Sequence, residues 1–134
     1  MSGSVIPCVG AVVIDGQGRL LMIKRGHEPG AGLWSIPGGR IEPGETDAAA
    51  LAREMLEETS LSVQVGRLLG RVWRPGLDGA VIDIRDYAAT ITGGTLQAGD
   101  DAADARWIAP GELHSLDITE GLIEALTGWG VLGR

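Results

Sequence analysis

Three glutamates near the middle of the chain have a spacing that could hold a metal ion. Glu54, Glu57 and Glu58 stand at positions i, i+3 and i+4 of a predicted helix, and such positions share one helix face. Three negative charges on one patch repel one another unless a cation lies among them. Hard cations such as Mg²⁺ prefer oxygen ligands of this kind. The spacing therefore favours a metal site that binds a diphosphate and activates water.

The same glutamates have a simpler interpretation, a solvated acidic face, which is the usual one for a glutamate run. Two neighbouring features favour the metal site. Arg53 lies four residues before Glu57 and could hold it in place. The helix also follows the turn Gly38-Gly39, where the absence of side chains lets backbone oxygen approach a ligand closely.

The helix that carries the glutamates has a predicted start. Thr46 can cap its N-terminus, and Asp47 is favourable in its first turn. Apolar residues at i, i+3, i+4 and i+7 predict its buried face: Ala48, Leu51, Ala52 and Met55.

The remaining elements are predicted from apolar runs and turn residues. Residues 5–14 and 19–24 predict a hairpin, residues 34–37 a short strand, residues 62–73 and 80–91 two longer strands, residues 105–108 another strand, and residues 119–126 a final helix. Glycine-rich loops are expected at 25–32, 74–79 and 92–103. Because strands and helices do not alternate regularly, the fold class is α/β with a mixed sheet flanked by helices.

Composition limits the partners. The length of 134 residues predicts one domain, 1–134, and a net charge of −7 disfavours a nucleic acid polymer as partner. Cys8 is the single cysteine, so an intrachain disulfide and a cysteine-based metal site are excluded. The sequence shows neither a signal peptide nor a membrane-spanning run, so we expect a cytoplasmic location and no membrane contact.

The segment 34–61 resembles the signature of the Nudix hydrolase family. Five residues separate Gly39 from Glu45, and seven more precede the run R-E-M-L-E-E, which is followed by Leu61. This agrees with the signature everywhere except at Ser60, where the family has glycine. The motifs W-S-I-P-G-G and W-I-A-P-G-E-L also look like that family, so the resemblance covers nearly the whole chain. It implies an α/β/α sandwich and Mg²⁺-dependent cleavage of a nucleoside diphosphate linked to another moiety.

The resemblance also implies roles for the residues at matching positions. The metal ligands would be Gly38, through its carbonyl, with Glu54, Glu57 and Glu58, and the catalytic set would be Arg53, Glu54, Glu57 and Asp101. Arg53 would orient a carboxylate, and Glu45 would hold the turn onto the helix. Which glutamate is the general base stays open. Mg²⁺ is the expected cofactor, with Mn²⁺ as an alternative.

Two positions carry separate expectations. Asp100 or Asp101 lies where relatives often carry an outlying acid, so Asp101 is an auxiliary ligand or base, with a plain loop aspartate as the alternative. The glycine replaced by Ser60 would adopt a left-handed conformation after the helix, which a residue with a Cβ atom adopts at a cost of about 1 kcal/mol. This departure concerns the fold and leaves the carboxylates intact.

The substrate is less defined than the reaction. Stacking candidates are Trp34, Trp73 and Tyr87, each with a core position as the alternative, and the leading substrate-binding residues are Arg25, Arg40, Trp73 and Tyr87. ADP-ribose is the leading substrate, with a nucleoside triphosphate pyrophosphohydrolase as the alternative. A non-catalytic nucleotide sensor is disfavoured because the carboxylates are present. The partner is a small nucleotide, and monomer and homodimer both stay open.

Overall fold

The computed structural model describes residues 3–99 and 101–132. The strands in these ranges are β1 (Val5–Val12), β2 (Leu20–Arg25), β3 (Trp34–Ser35), β4 (Gly38–Arg40), β5 (Leu61–Pro75), β6 (Val81–Gly94) and β7 (Ala102–Ile108). The α-helices are α1 (Asp47–Thr59) and α2 (Leu122–Gly128), and 3₁₀ helices occupy Leu77–Gly79 and Pro110–Ser115. In the described ranges, no helix has the length and apolar character needed to cross a bilayer.

The strands form two sheets. The four-stranded sheet has the order β4-β1-β6-β5, and the three-stranded sheet has the order β3-β2-β7. In the larger sheet β1 runs parallel to β6, whereas β4 and β5 run antiparallel to their neighbours. The mixed sheet predicted from the sequence is therefore confirmed. The smaller sheet is an addition that the sequence did not predict.

The sheets lie between the two helices because successive residues of a strand point to opposite faces. On β1, Val9 and Ala11 belong to the core that contains Leu51 and Met55 of α1. Val12 belongs to the other core, which contains Leu126 of α2. The predicted arrangement of a mixed sheet with flanking helices is confirmed. The single domain predicted for 1–134 stays a prediction.

Helix α1 begins and ends where the sequence predicts. The side chain of Thr46 accepts a hydrogen bond of 3.1 Å from the N–H of Ala49, and Asp47 lies in the first turn. Ser60 has φ 64° and ψ 18°, the left-handed conformation, and its N–H donates to the carbonyl of Leu56 at 3.1 Å. A residue with a Cβ atom thus holds a backbone conformation that favours glycine.

The buried face of α1 differs from the predicted one. The buried residues are Ala50, Leu51, Met55 and Thr59, whereas Ala48 is exposed and Ala52 is partly exposed. The polar Thr59 joins this face because its hydroxyl donates to the carbonyl of Met55 at 2.6 Å. The periodicity of alanines alone did not define the face.

The predicted hairpin 5–14/19–24 is wrong in its extent. The turn forms, since Asp15 accepts from the N–H groups of Gln17 and Arg19. However, β1 and β2 lie in different sheets, and the bridge between Ile14 and Leu20 lies outside both strands.

The ends of two later elements also differ from prediction. β7 begins at Ala102, so part of the expected loop 92–103 is strand. α2 begins at Leu122 and not at residue 119. Thr119 does not start the helix because its N–H donates to the carbonyl of Trp34 at 2.9 Å and so ties this segment to β3.

Candidate active site

The C-terminal half of α1 lies against the edge strand β4. Glu54 packs on Gly39, where a Cβ atom would overlap the Glu54 carboxylate. One helical turn later, Glu58 accepts a hydrogen bond of 2.8 Å from the N–H of Gly38. A Cβ atom at Gly38 would overlap the carbonyl of Val9. The two glycines therefore allow two of the three predicted carboxylate ligands to lie directly against the sheet edge.

The carbonyl of Gly38 faces the same edge. The N–H of Ala11 donates to the carbonyl of Pro37 at 2.9 Å, and alternate residues of an antiparallel strand direct their backbone groups toward and away from the partner strand. Gly38, the next residue, therefore turns both its N–H and its C=O away from β1. Since the N–H donates to Glu58, the carbonyl lies on the side of the carboxylates, as its predicted ligand role requires.

Arg53 joins the glutamates of this region. Its guanidinium donates to both oxygens of Glu45, at 2.8 Å each, and to the backbone carbonyl of Arg40 at 3.0 Å. The same group donates to Glu54 at 3.0 Å and, less closely, to Glu57 at 3.3 Å. The hydrogen bonds from Arg53 lower the pKa of Glu45 to about 2. Arg53 therefore connects Glu45 and the backbone of β4 with Glu54 on the helix. The roles that the resemblance implies for Arg53 and Glu45 stay predictions.

The carboxylates closest to the sheet have raised pKa values. Burial is the main cause for Glu58, whose pKa rises to about 7 although the N–H of Gly38 opposes the shift. Burial also raises the pKa of Glu54 against the hydrogen bond from Arg53. Asp101 adds to both increases through its negative charge. Burial and, to a smaller extent, neighbouring negative charge thus both disfavour the ionised forms of Glu54 and Glu58.

The loop with Asp101 is attached to the end of α1. The N–H groups of Gln97 and Gly99 donate to the carbonyls of Thr59 and Glu58, both at 2.9 Å. Asp101 is exposed and lies 3.6 Å from His27. Its place beside Glu54 and Glu58 agrees with an auxiliary role, which stays a prediction. Asp100 lies outside the described residues.

The donor groups of this site fit a hard divalent cation. Glu54, Glu58 and the carbonyl of Gly38 offer the oxygen ligands that Mg²⁺ prefers, and a cation would stabilise the ionised form of the two glutamates against the burial that raises their pKa values. Glu57 instead points to Arg53. With these side-chain positions, no three Asp, Glu, His or Cys side chains within 3–99 and 101–132 meet closely enough to hold a metal. Binding thus requires a rotation of Glu57 or ligands from water and substrate.

Comparison with known proteins identifies the family. Residues 5–127 match the NUDIX domain. This match spans most of the chain. The chain belongs to the NUDIX family. The resemblance seen in the sequence is thereby confirmed.

Individual NUDIX relatives agree with this result. The chain is 40% identical over 112 residues to an ADP-ribose pyrophosphatase of Methanocaldococcus jannaschii, covering 79% of the chain but only 66%, just under two thirds, of that protein. It is 33% identical over 103 residues to the CTP pyrophosphohydrolase of Escherichia coli, covering 76% of the chain and 75% of that protein. A MutT protein structure from Methanosarcina mazei superposes with a TM-score of 0.85 at 19% identity, over 97% and 96% of the two chains, which shows the shared fold.

Two predicted substrate-binding arginines of this NUDIX chain lie near the carboxylates. Arg25 is half-buried, donates to the carbonyl of Pro29 at 2.6 Å, and its charge lowers the pKa of Glu58. Arg40 is exposed on β4, and its backbone carbonyl binds Arg53. The charge of Arg25 therefore acts at Glu58, whereas the known contact of Arg40 with this region is through its backbone. The substrate-binding role of both side chains stays a prediction.

The aromatic candidates lie elsewhere. Trp34 is 5% exposed and belongs to the core, the alternative left open by the sequence. Trp73 is 55% exposed but lies on β5, at the opposite edge of the sheet from β4, with Arg71 over its ring at 5.1 Å. The hydroxyl of Tyr87 donates to Asp47 at the start of α1. The structure therefore does not bring Trp73 and Tyr87 to the carboxylates.

One buried acid was not singled out from the sequence. Asp86 is 2% exposed, and burial raises its pKa to about 6, with Arg74 opposing the shift. Among the described residues, its Oδ1 has no hydrogen-bond partner. The sequence does show an acid within a long predicted strand. However, many strands have one face in solvent and carry acids on that face, so the sequence does not show that Asp86 is buried.

Proposed function

We propose that this chain hydrolyses the diphosphate of a nucleoside diphosphate linked to another moiety, with Mg²⁺ as its cofactor. The observation that carries the proposal is the pair Glu54 and Glu58, which are held against Gly38 and Gly39 with pKa values raised by burial. Membership of the NUDIX family supports the same reaction. The relatives named as pyrophosphatases support cleavage of a phosphoric anhydride.

Each residue then has a defined task. Mg²⁺ bound by Glu54, Glu58 and the Gly38 carbonyl would neutralise the diphosphate and lower the pKa of a bound water. Arg53 keeps Glu54 in position through its hydrogen bond of 3.0 Å. Glu57 is 56% exposed and only weakly held by Arg53, so it can accept the proton of the attacking water. Asp101 is the second candidate for that role.

ADP-ribose is the first substrate to test. The relative at 40% identity is named as an ADP-ribose pyrophosphatase, and the product pair would be AMP and ribose 5-phosphate. The second candidate is a nucleoside triphosphate, favoured by the relative named as a CTP pyrophosphohydrolase, of which this chain covers the larger share. Arg25 and Arg40 are the phosphate-binding candidates for either substrate. The net charge of −7 favours a small nucleotide over a nucleic acid polymer.

A panel of nucleotides tests the proposal. Purified protein is mixed with Mg²⁺ or Mn²⁺ and either ADP-ribose or each nucleoside triphosphate. Phosphomonoesterase reports ADP-ribose cleavage because it releases phosphate from the products and not from the intact diester. Inorganic pyrophosphatase reports triphosphate cleavage, since phosphomonoesterase would attack those substrates directly. We expect metal-dependent turnover that stops when a chelator is added.

The outcomes separate three functions. Turnover of ADP-ribose with little cleavage of triphosphates supports the first candidate, and the reverse pattern supports the second. Binding of a nucleotide by calorimetry with no turnover in either metal contradicts an enzyme and supports a nucleotide sensor.

A further inference from the structure

A row of three glycines and one aspartate crosses the four-stranded sheet. Strand register places Gly38 beside Gly10, Gly10 beside Asp86, and Asp86 beside Gly70. Paired residues direct their side chains to the same face, so Asp86 carries the single side chain of this row. Its Oδ1 lies over Gly10, where a Cβ atom would overlap it. Gly70 likewise leaves room for the indole of Trp129, which a Cβ atom there would overlap.

Asp86 faces away from α1. Its neighbours Arg85 and Tyr87 both bond to Asp47 of α1, and successive strand residues point to opposite faces. On the face of Asp86, five apolar side chains are partly exposed and belong to neither buried core: Ile6, Cys8, Val72, Ile82 and Ile84. We call these five residues the apolar strip. Strand register places Arg40 beside Cys8 and Arg74 beside Ile82. An apolar surface with an arginine at each side suits a flat ring that is attached to phosphate.

The Asp86 carboxylate lacks compensation within the described residues. The side chain of Ile36 also lies beside Gly10, next to the Asp86 carboxylate, whose Oδ1 has no partner among these residues. Arg74 acts on the carboxylate through its charge, but its guanidinium lies at Gly121, before α2. A buried acceptor with no donor is costly, and most such groups in proteins are hydrogen-bonded. An ionised carboxylate can only accept hydrogen bonds, so a ligand that meets Oδ1 must bring a donor.

The glycine row connects Asp86 with the carboxylate site. Gly38, whose N–H donates to Glu58, stands at one end of the row, and Asp86 is two strands away. Neighbouring strands are about 4.8 Å apart, so the two positions are separated by about 10 Å. A ribose and its base can span that distance when the diphosphate lies at Glu58.

We propose that Asp86 selects the base of the nucleotide by accepting a hydrogen bond from an exocyclic amino group, while the ring lies on the apolar strip. This inference rests on the proposed function and names a specificity-determining residue for it. Adenine and cytosine present an amino group at the relevant edge. Hypoxanthine and uracil place a carbonyl oxygen at that position, which repels a carboxylate, and their nearest donor is the neighbouring ring N–H. Removal of a donor from a buried acceptor predicts a preference of about 10- to 100-fold for the amino base.

Matched substrate pairs test this inference. The pairs are ADP-ribose with inosine diphosphate ribose, and CTP with UTP, and the quantity compared is the ratio of their kcat/KM values. Wild type should prefer the amino member of the pair that it hydrolyses. Asp86→Asn should bring the ratio close to one, because an amide can present either its oxygen or its NH₂ group. The control is Asp83→Asn, which alters a buried acid on the opposite face that binds Arg71 at 2.7 Å; it should keep the wild-type ratio.

The role of Asp86 can be tested separately from the proposed hydrolysis. Calorimetry with AMP and IMP, and with CMP and UMP, measures the same preference without turnover, so an inactive protein still tests Asp86. Equal affinity and equal kcat/KM within both pairs in wild type would overturn the inference even if Asp86→Asn did not fold. A preference that persists in a folded Asp86→Asn protein would overturn it as well and would leave Asp86 as a structural partner of Arg74.

Discussion

The two ends of α1 hold their carboxylates in opposite ways. At the N-terminal end, Asp47 accepts two hydrogen bonds from Arg85, at 3.1 and 3.2 Å, and one from Tyr87. At the C-terminal end, Glu58 has one backbone donor, Gly38, and its pKa is raised to about 7 by burial. Asp47 is thus compensated by side-chain donors, whereas Glu58 accepts only from a backbone N–H.

This difference indicates that the acids at the two ends of α1 have different roles, one in stability and the other in function. A carboxylate with charged donors stabilises the fold in its ionised form. A buried carboxylate without them destabilises the ionised form, so its position is explained better by a ligand that arrives from outside. We therefore assign Asp47 to the attachment of α1 to the sheet, and we propose Glu58, together with its neighbour Glu54, as ligands of the metal that would bind the diphosphate.

The largest expected effect that separates the two ends is on turnover. Glu57→Gln should lower kcat by about 10²- to 10⁴-fold, the usual contribution of a general base or ligand, with an unchanged circular dichroism spectrum. The measurement is kcat with the best substrate of the panel. Full activity in this variant would refute the assigned site.

Asp47→Asn is the matched control at the other end of the helix. It removes a charge of the same sign but leaves the carboxylates near Gly38 in place. We expect turnover within about twofold of wild type and a lower free energy of unfolding, by about 1–3 kcal/mol, because Arg85 loses its ionised partner. A loss of turnover as large as that of Glu57→Gln would show that the two ends are not separate.

The pH dependence of protein stability also tests the difference between Asp47 and Glu58. The pKa of Glu58 rises on folding from 4.5 to about 7, so the folded state binds more protons between these values. The stabilisation of the fold by this additional proton binding is on the order of 2–3 kcal/mol. It is complete below pH 4.5 and is lost as the pH rises toward 7. In a chelator, Tm should therefore fall between pH 5 and pH 8.

Glu58→Gln isolates this effect from that of Asp86, whose pKa is also raised, to about 6. The variant should show a smaller decline of Tm and be the more stable protein at pH 8. Added Mg²⁺ should raise Tm of wild type at pH 8 but raise it less in the variant. Parallel curves for the two proteins would contradict an uncompensated Glu58.

The sequence predicted what depends on neighbours along the chain. The Thr46 cap and the left-handed Ser60 follow from positions within one helix, and the structure places both as expected. Of the three glutamates, Glu54 and Glu58 lie against the glycine turn, whereas Glu57 points to Arg53. The glycine turn was expected to bring backbone oxygen to a metal, whereas its direct contacts with Glu54 and Glu58 were not predicted. Local spacing therefore indicated where the candidate site lies.

Features that depend on strand register were not predicted. Gly10, Gly38, Gly70 and Asp86 are neighbours only because three strand pairs align, and their spacing in the chain has no regular pattern. The hairpin error has a similar cause. Four consecutive residues of β2, Leu20 to Ile23, are buried, and a run buried on both faces does not indicate which sheet it joins.

Tyr87→Phe gives a smaller test of the compensated end. The sequence proposed Tyr87 for substrate binding, whereas its hydroxyl donates to Asp47, and this hydrogen bond raises the pKa of the tyrosine. We expect an unchanged KM and a free energy of unfolding lower by about 1 kcal/mol. Chemical denaturation and steady-state kinetics measure both. A higher KM with no loss of stability would restore the substrate role.

The smallest expected effect lies at the boundary of the C-terminal end, at Ser60. The left-handed conformation of Ser60 costs about 1–2 kcal/mol, and replacement by glycine would remove this cost. The greater entropy of the unfolded glycine variant would offset about 0.4–1 kcal/mol of that improvement. Ser60→Gly should therefore raise stability by about 0.5–1 kcal/mol, with turnover unchanged because no carboxylate moves. Ser60→Ala keeps the Cβ atom and serves as control, with no increase in Tm. If glycine lowered Tm, the weak contact of 3.5 Å from the Ser60 hydroxyl to the carbonyl of Gln97 would outweigh the backbone strain, and the loop that carries Asp101 would depend on it.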